Sequence, residues 1–365
     1  MSATLAAAPP RRDTRAMGTI EHTTSRSHTL PTLDLSTASA DPAAFQAAIL
    51  DVTHRLGFFY LVGHGIATER LDGIIDLARR FFALPDADKN EISQLKSPQF
   101  RGYSRLGGEL TNGAVDWREQ IDIGPERPVI DGAEGYWRLQ GPNLWPSALP
   151  ELRPAFEAWS TDLAAVGREL LGHWAAAFGA PPTVFDAAFD DRPATLIKVV
   201  RYPGPDSAEA ADDARRQGVG AHKDSGVLTL LLVEPGTDGL QVEGPDGEWI
   251  DAPPVPGAFI VNIGELLEVA TGGYLRATRH RVLAPPPGHD RISIPYFLNP
   301  GLDAQIPVLD LPADLAARSR GVELDPDNPI FNTYGENAWK SRTRAHPDVA
   351  ELHHGIRAAN VPSVG

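Results

Sequence analysis

The sequence predicts an α+β fold in which a double-stranded β-helix, a jelly-roll form, is flanked by helices. Between Thr195 and Pro300 the chain falls into short β-prone runs, broken by Pro203-Gly204-Pro205, Pro235-Gly236 and Pro253-Pro254-Val255-Pro256-Gly257. Ahead of that block, apolar residues recur at helical spacing. No internal repeat is present. Helices segregated around a block of strands point to packed or closed sheets with helices laid outside them.

The elements follow in order. Residues 1–29 read as a disordered tail, rich in Ala, Pro, Arg, Ser and Thr and lacking the apolar stretch of a secretory signal. The segment's low acid content would also suit a transit peptide, but a plain solvated extension, or a start at Met17, is the simpler reading. Asp41-Pro42 joins an N-cap to a proline at the first helical position and opens a helix to about Arg55. From Ala67 to Leu84, helical spacing puts Ile74, Leu77, Phe81 and Phe82 on one buried face, and a further helix is expected through Leu152 to Phe178. Past the strands, Phe331, Tyr334 and Trp339 share a broad face if their stretch is helical, although Gly335 weakens that helix. Packing on the barrel exterior is favoured there over a lid. His346-Pro347-Asp348 reads as a helix start.

A chain of 365 residues with 42% hydrophobic residues can bury a large core, so one catalytic unit is the simplest organisation. Its parts are a helical and mixed region over 30–190, the jelly-roll core over 191–300 and a C-terminal segment over 301–365. The net charge of -15 argues against nucleic acid or an anionic membrane as partner, since both need clustered positive charge. No apolar run approaches membrane-spanning length, and a cytoplasmic location is expected. No feature specifies an oligomeric state. With no Cys, any metal site must use nitrogen and oxygen ligands.

One such site is visible. In His222-Lys223-Asp224, residues two apart on a strand point to the same face, so the imidazole and the carboxylate converge while Lys223 turns away. His280 follows after residues 225–279 and supplies a second imidazole. Two His and one carboxylate on one face of a metal leave positions open, the pattern of non-haem Fe(II) oxygenases. The triplet His346-Pro347-Asp348 shows that the motif alone is weak; the first differs by opening the apolar run Val227-Leu228-Thr229-Leu230-Leu231-Leu232-Val233. Eleven residues past His280, Arg291 and Ser293 share a face, where a guanidinium fork and a hydroxyl suit a carboxylate. An unbroken strand would put Leu228, Leu230 and Leu232 on the face of His222, with Gly226 keeping space clear. Leu230 and Leu232 read as core.

The ordered set H-x-D, H and R-x-S resembles the isopenicillin N synthase-like family of Fe(II)/2-oxoglutarate-dependent oxygenases. The resemblance covers about Leu30 to His354. It includes Leu30 to Leu35 as an opening strand, Gly57 to Ile66, Phe81 to Pro85, Phe100-Arg101-Gly102-Tyr103 with Glu109 to Gly124, Val199 to Pro203, Gly239 to Val242 and Asn262 to Glu265. It implies Fe(II) on His222, Asp224 and His280, and 2-oxoglutarate on Arg291 and Ser293. Tyr202 joins them, because Val200 stands where many relatives carry a second ligand, Asn. Glu265 replaces a more usual Asp and lengthens a carboxylate beside the metal ligands. Phe297 shares the face of Arg291 and is implied in the substrate pocket, with Leu228, Tyr103 and Trp339 as further lining; Arg101 and Glu109 lie in a loop-rich stretch open to the same role. His54, His64 and His173 read as structural.

The function implied is oxidation of a small organic metabolite with O2, releasing succinate and CO2, with hydroxylation as the default outcome over desaturation, ring closure or demethylation. Two alternatives stay open. One is an oxidase of the same fold that uses no 2-oxoglutarate, as in isopenicillin N synthase and the ethylene-forming oxidases. The other is a silent binding protein or a zinc hydrolase built on the same ligands.

Overall fold

The computed structural model describes residues 29–189, 192–205, 217–322, 325 and 328–357. The expected N-terminal tail therefore lies outside the described residues except for Thr29. Among the described residues the strands are Thr32–Asp34 (β1), Phe58–Val62 (β2), Gly102–Ser104 (β3), Leu110–Thr111 (β4), Ala114–Val115 (β5), Glu119–Ile123 (β6) and Leu196–Pro203 (β7). They continue with Gln217–His222 (β8), Leu228–Val233 (β9), Leu240–Glu243 (β10), Trp249–Asp251 (β11), Phe259–Ile263 (β12), His280–Leu283 (β13) and Asp290–Leu298 (β14). The helices are Pro42–Arg55 (α1), Thr68–Phe82 (α2), Asp86–Glu91 (α3), Leu152–Ala177 (α4), Glu265–Ala270 (α5), Ala313–Ala316 (α6), Tyr334–Ala345 (α7) and Pro347–His354 (α8).

Local chemistry explains where the helices begin. Asp41 caps α1 by accepting a hydrogen bond from the Ala44 N–H at 3.0 Å, with Pro42 at the first helical position. Ile74, Leu77, Phe81 and Phe82 of α2 are buried as their spacing requires. The α4 helix contributes Phe156, Trp159 and Trp174, all fully buried, each stabilising the fold by roughly 1.5–3 kcal/mol through area removed from water. Helix α7 forms despite Gly335 because the close approach needs glycine: a Cβ there would lie 2.4 Å from the Leu302 carbonyl oxygen and 2.5 Å from the Tyr136 ring.

The strands form an eight-stranded sheet in the order β1-β2-β12-β9-β14-β7-β6-β3, a four-stranded sheet in the order β11-β10-β13-β8, and the small hairpin β4-β5. Alternation gives the large sheet two different faces. Phe59, Leu61, Leu228, Leu230, Leu232, Ile292, Ile294 and Tyr296 point outward into one core with α1, α2 and α4. Tyr60, Val200, Val233 and Ile260 point inward, packing against Val219, Leu240, Val242 and Val282 of the small sheet. Two facing sheets, antiparallel except for the parallel β1-β2 pair, with helices on the outer side of the larger one, make the expected jelly roll. No helix among the described residues is long and apolar enough to cross a membrane.

Candidate metal centre and cavity

Strands β8 and β13 pair antiparallel with His280 opposite His222, so the two rings are neighbours on the small sheet, 4.3 Å between centroids. A register shift between His280 and Val282 marks a bulge, a device that re-aims side chains beside sites. Asp224 does not lie on the strand. β8 ends at His222, and residues 223–227 form a turn clamped to the start of α5, with Glu265 donating its N–H to the Asp224 carbonyl at 2.8 Å. Asp224 Oδ1 still reaches 3.5 Å from His222 Nε2 and 3.7 Å from His280 Nε2. Cis ligands on an octahedral ion with bonds near 2.1 Å stand about 3.0 Å apart, so the carboxylate and the imidazoles would each draw about 0.5 to 0.7 Å closer around a metal.

The surroundings fix each donor. Asp224 Oδ2 accepts from Thr229 Oγ1 at 2.6 Å and Asn262 Nδ2 at 2.8 Å, which leaves Oδ1 facing the imidazoles. The Nδ1 atoms of His222 and His280 lie 2.8 and 3.1 Å from the Gly220 and Thr278 carbonyls, so each ring presents Nε2. Burial opposes charge on His222, but Asp224 outweighs it and raises the pKa. Burial and then the neighbouring His222 push His280 down to about 4. Burial works against the Asp224 carboxylate too, yet His280, His222 and Asn262 hold it well below the usual range.

The second expected cluster meets in the same cavity, of about 910 Å³. Arg291 pairs opposite Tyr202 and Ser293 opposite Val200 in the β14-β7 register. Arg291 is 1% exposed, its guanidinium carbon lies 5.0 Å over the Tyr202 ring, and its Nε and Nη1 have no hydrogen-bond partner. A buried guanidinium with two free N–H groups suits a carboxylate. Register also explains the wall around it. Phe58, Asn262, Thr229, Phe297 and Leu196 stand opposite one another across five strands, and all line the cavity.

Several expectations need correction. Leu228 faces the helices, as do Leu230 and Leu232, because the turn at 223–227 breaks the alternation that would have carried the His222 face into β9; Thr229 and Leu231 line the cavity instead. Tyr103 packs against Phe81 and donates to Glu119 Oε2 at 2.6 Å, away from the cavity lining. Trp339 packs edge-on against Phe100 and His354, while its neighbours Ala338 and Lys340 line the cavity. Gly226 serves packing rather than clearance beside the donors, since a Cβ would lie 2.1 Å from Asn299 Oδ1. Glu265 gives Asp224 its backbone N–H; the side chains that hold Asp224 are Thr229 and Asn262. Sequence reasoning missed both, although Thr229 is the one hydroxyl in an otherwise apolar run.

Arg101 and Glu109 do line the cavity, within a buried charged wall. Lys198 bonds both Glu109 oxygens at 2.7 and 2.8 Å, Arg118 bridges Glu109 and Asp116, and Arg342 donates to Asp122 at 2.8 Å. His346, set aside as a helix start, does precede α8 but is fully buried, 3.8 Å from Glu109. Glu109, Asp122 and His346 are close enough to share a cation. Three fixed cations already neutralise those carboxylates, so a second metal would meet repulsion. The remaining His54, His64 and His173 pack against Tyr274, Phe259 and Phe45.

Comparison with known proteins agrees with this geometry. A family model described as the non-haem dioxygenase in morphine synthesis N-terminal matches residues 30–148, and one described as the 2OG-Fe(II) oxygenase superfamily matches residues 194–300. A 2-oxoglutarate-dependent dioxygenase of Dothideomycetidae sp. (strain 11243) is 36% identical over 88% of this chain and 91% of its own. A homoarginine-6-hydroxylase of Glycine max is 34% identical over 77% of this chain and 88% of its own. A full-length Neurospora crassa protein solved in complex with alpha-KG superposes with a TM-score of 0.69 at 25% identity, covering 86% of this chain and 95% of that one. A putative 2OG-Fe(II) oxygenase family protein from Caulobacter crescentus gives 0.67 at 28%, covering 86% and 98%. The chain belongs to the 2OG-Fe(II) oxygenase superfamily, as a dioxygenase that uses Fe(II), 2-oxoglutarate and O2.

Proposed function

We propose that this dioxygenase hydroxylates a small polar metabolite, with Fe(II) held by His222, Asp224 and His280 and the far carboxylate of 2-oxoglutarate held by Arg291 and Ser293. Tyr202 packs beneath the guanidinium and completes that subsite. The observation that carries the reading is Arg291: fully buried, two N–H groups unpartnered, in the cavity that the three donor side chains share. Bound there, Fe(II) would supply the activation of O2 coupled to decarboxylation of 2-oxoglutarate to succinate. The chain's own residues orient the reactants. Thr229 and Asn262 aim one Asp224 oxygen, the Gly220 and Thr278 carbonyls aim the two imidazoles, and the apolar wall of Phe58, Leu231, Pro295 and Phe297 limits water near the reacting centre. Hydroxylation is supported by the homoarginine-6-hydroxylase relatives, which make L-homoarginine the first substrate to try. The net charge of -15 supports a small-molecule substrate over nucleic acid or an anionic membrane.

The test is succinate release. Arg291→Ala should lose it while retaining Fe(II), and His222→Ala should lose Fe(II) itself; unchanged turnover in either variant rejects the reading.

A further inference from the structure

We propose that Arg101 is the anchor for a carboxylate on the substrate, so that the enzyme selects small monocarboxylic acids. The inference rests on the oxygenase reading above and deepens it. On the charged wall, Arg118, Lys198 and Arg342 are partnered by Glu109, Asp116 and Asp122. Arg101 is the buried cation left over, whereas the more exposed Arg127 beside it donates to the Arg192 and Pro193 carbonyls. Arg101 is 9% exposed, lines the metal cavity, and has no carboxylate within 4.0 Å among the described residues. Its one side-chain hydrogen bond runs from Nη2 to the Leu139 carbonyl at 3.3 Å, and Nε is buried without a partner. A buried charge without a counterion is costly, so a site that keeps one is built for an anion that arrives.

The fold holds Arg101 there at the expense of backbone strain. Phe100, a bulky residue, sits at φ 58°, and its ring is held by Trp339, His346 and His354 from the C-terminal helices. Space is reserved as well: a Cβ on Gly124 would lie 2.2 Å from the guanidinium carbon. Two more donors converge from α7. Tyr334 lines the cavity within electrostatic reach of Arg101 and Arg342, and Arg342 keeps Nη2 free. A single buried guanidinium at this end of the cavity matches one negative charge. A phosphate dianion would leave an excess beside Glu109 and Asp122, whereas a planar carboxylate meets a guanidinium fork in matching geometry.

The experiment measures binding of acid and primary-amide pairs to the full chain loaded with Fe(II) and 2-oxoglutarate, by anaerobic calorimetry. The probes are L-homoarginine, L-leucine and hydrocinnamate, each with its amide. At least one acid should bind, with its amide weaker by roughly tenfold to a hundredfold, the loss expected when a buried charge loses its partner. In Arg101→Met and in Gly124→Ala, which displaces the guanidinium, that ratio should collapse toward one. General damage would weaken acid and amide together and leave the ratio intact. Equal affinity in the wild type, an unchanged ratio in both variants, or no binding by any acid overturns the proposal. Should the wild type neither retain Fe(II) nor consume 2-oxoglutarate, the oxygenase reading fails instead.

Discussion

Asp224 can present one oxygen to both imidazoles because its other oxygen is held by Thr229 and Asn262. Removing either donor frees the carboxylate to rotate while leaving all three metal-facing side chains in place. Asn262→Ala and Thr229→Val should therefore each weaken Fe(II) binding by about tenfold to a hundredfold, the usual effect of losing a group behind a ligand. Anaerobic metal titration checks this, and wild-type affinity in both variants would show that Asp224 is held by its backbone alone. The same pair marks the limit of what the sequence discloses. His222, Asp224 and His280 are legible because few residue types bind metal and their order is restrictive. A buried Asn or Thr in a strand has many possible uses, so only the three-dimensional contact reveals that these two serve Asp224.

Elements were read more easily than their joints. The start of α1 follows from its Asp41 cap and the course of α2 and α4 from apolar spacing, and Arg291, Ser293 and Phe297 share a face because β14 is continuous. Alternation failed between β8 and β9, where five residues of turn reset the parity and sent Leu228 outward. It also could not foresee that His346 and Arg342, at the end of α7, would enter a charged wall made by β6 and β7. That wall ties the C-terminal helices to the sheet and gives them a pH dependence. Burial disfavours charge on Asp122, yet Lys198 and Arg342 outweigh it and bring its pKa from 3.8 to about 2; Glu109 lies well below 4.5 through Arg118 and Lys198, against burial of its own. A folded-state pKa below the unfolded value gives stability that is full above the unfolded pKa and is lost as pH falls through the folded one. The melting temperature should accordingly fall between about pH 4.5 and pH 2. Arg342→Met should lower stability at neutral pH by about 3 kcal/mol, since it leaves Asp122 short of a buried partner, and should flatten the acid slope. Denaturant titrations across that pH range decide it, and an unchanged slope would mean that Lys198 alone holds the carboxylates.

At the scale of the molecule, the candidate metal centre sits where the two sheets meet, and this has a thermodynamic consequence. His222 and His280 belong to the small sheet, whereas Thr229 and Asn262, which hold Asp224, belong to the large one, as do Arg291 and Ser293. Asp224 lies on the turn joining them. A metal on these donors would therefore staple one sheet to the other, and 2-oxoglutarate would extend the staple across to β14. Ligands that bind only the folded state stabilise it by mass action, by roughly 2.7 kcal/mol at a hundredfold excess over Kd, which for a chain of this size is a rise of several degrees in melting temperature. Mn(II), used in place of iron to avoid oxidation, should raise the melting temperature alone, and 2-oxoglutarate should add its own increment only when the metal is present. His222→Ala should abolish both increments, while Arg291→Ala should keep the first and lose the second. Amide exchange should slow most in β8 and β13, the two strands that carry the imidazoles. Equal protection of every strand by the metal would show that it tightens the fold as a whole rather than fastening one sheet to the other.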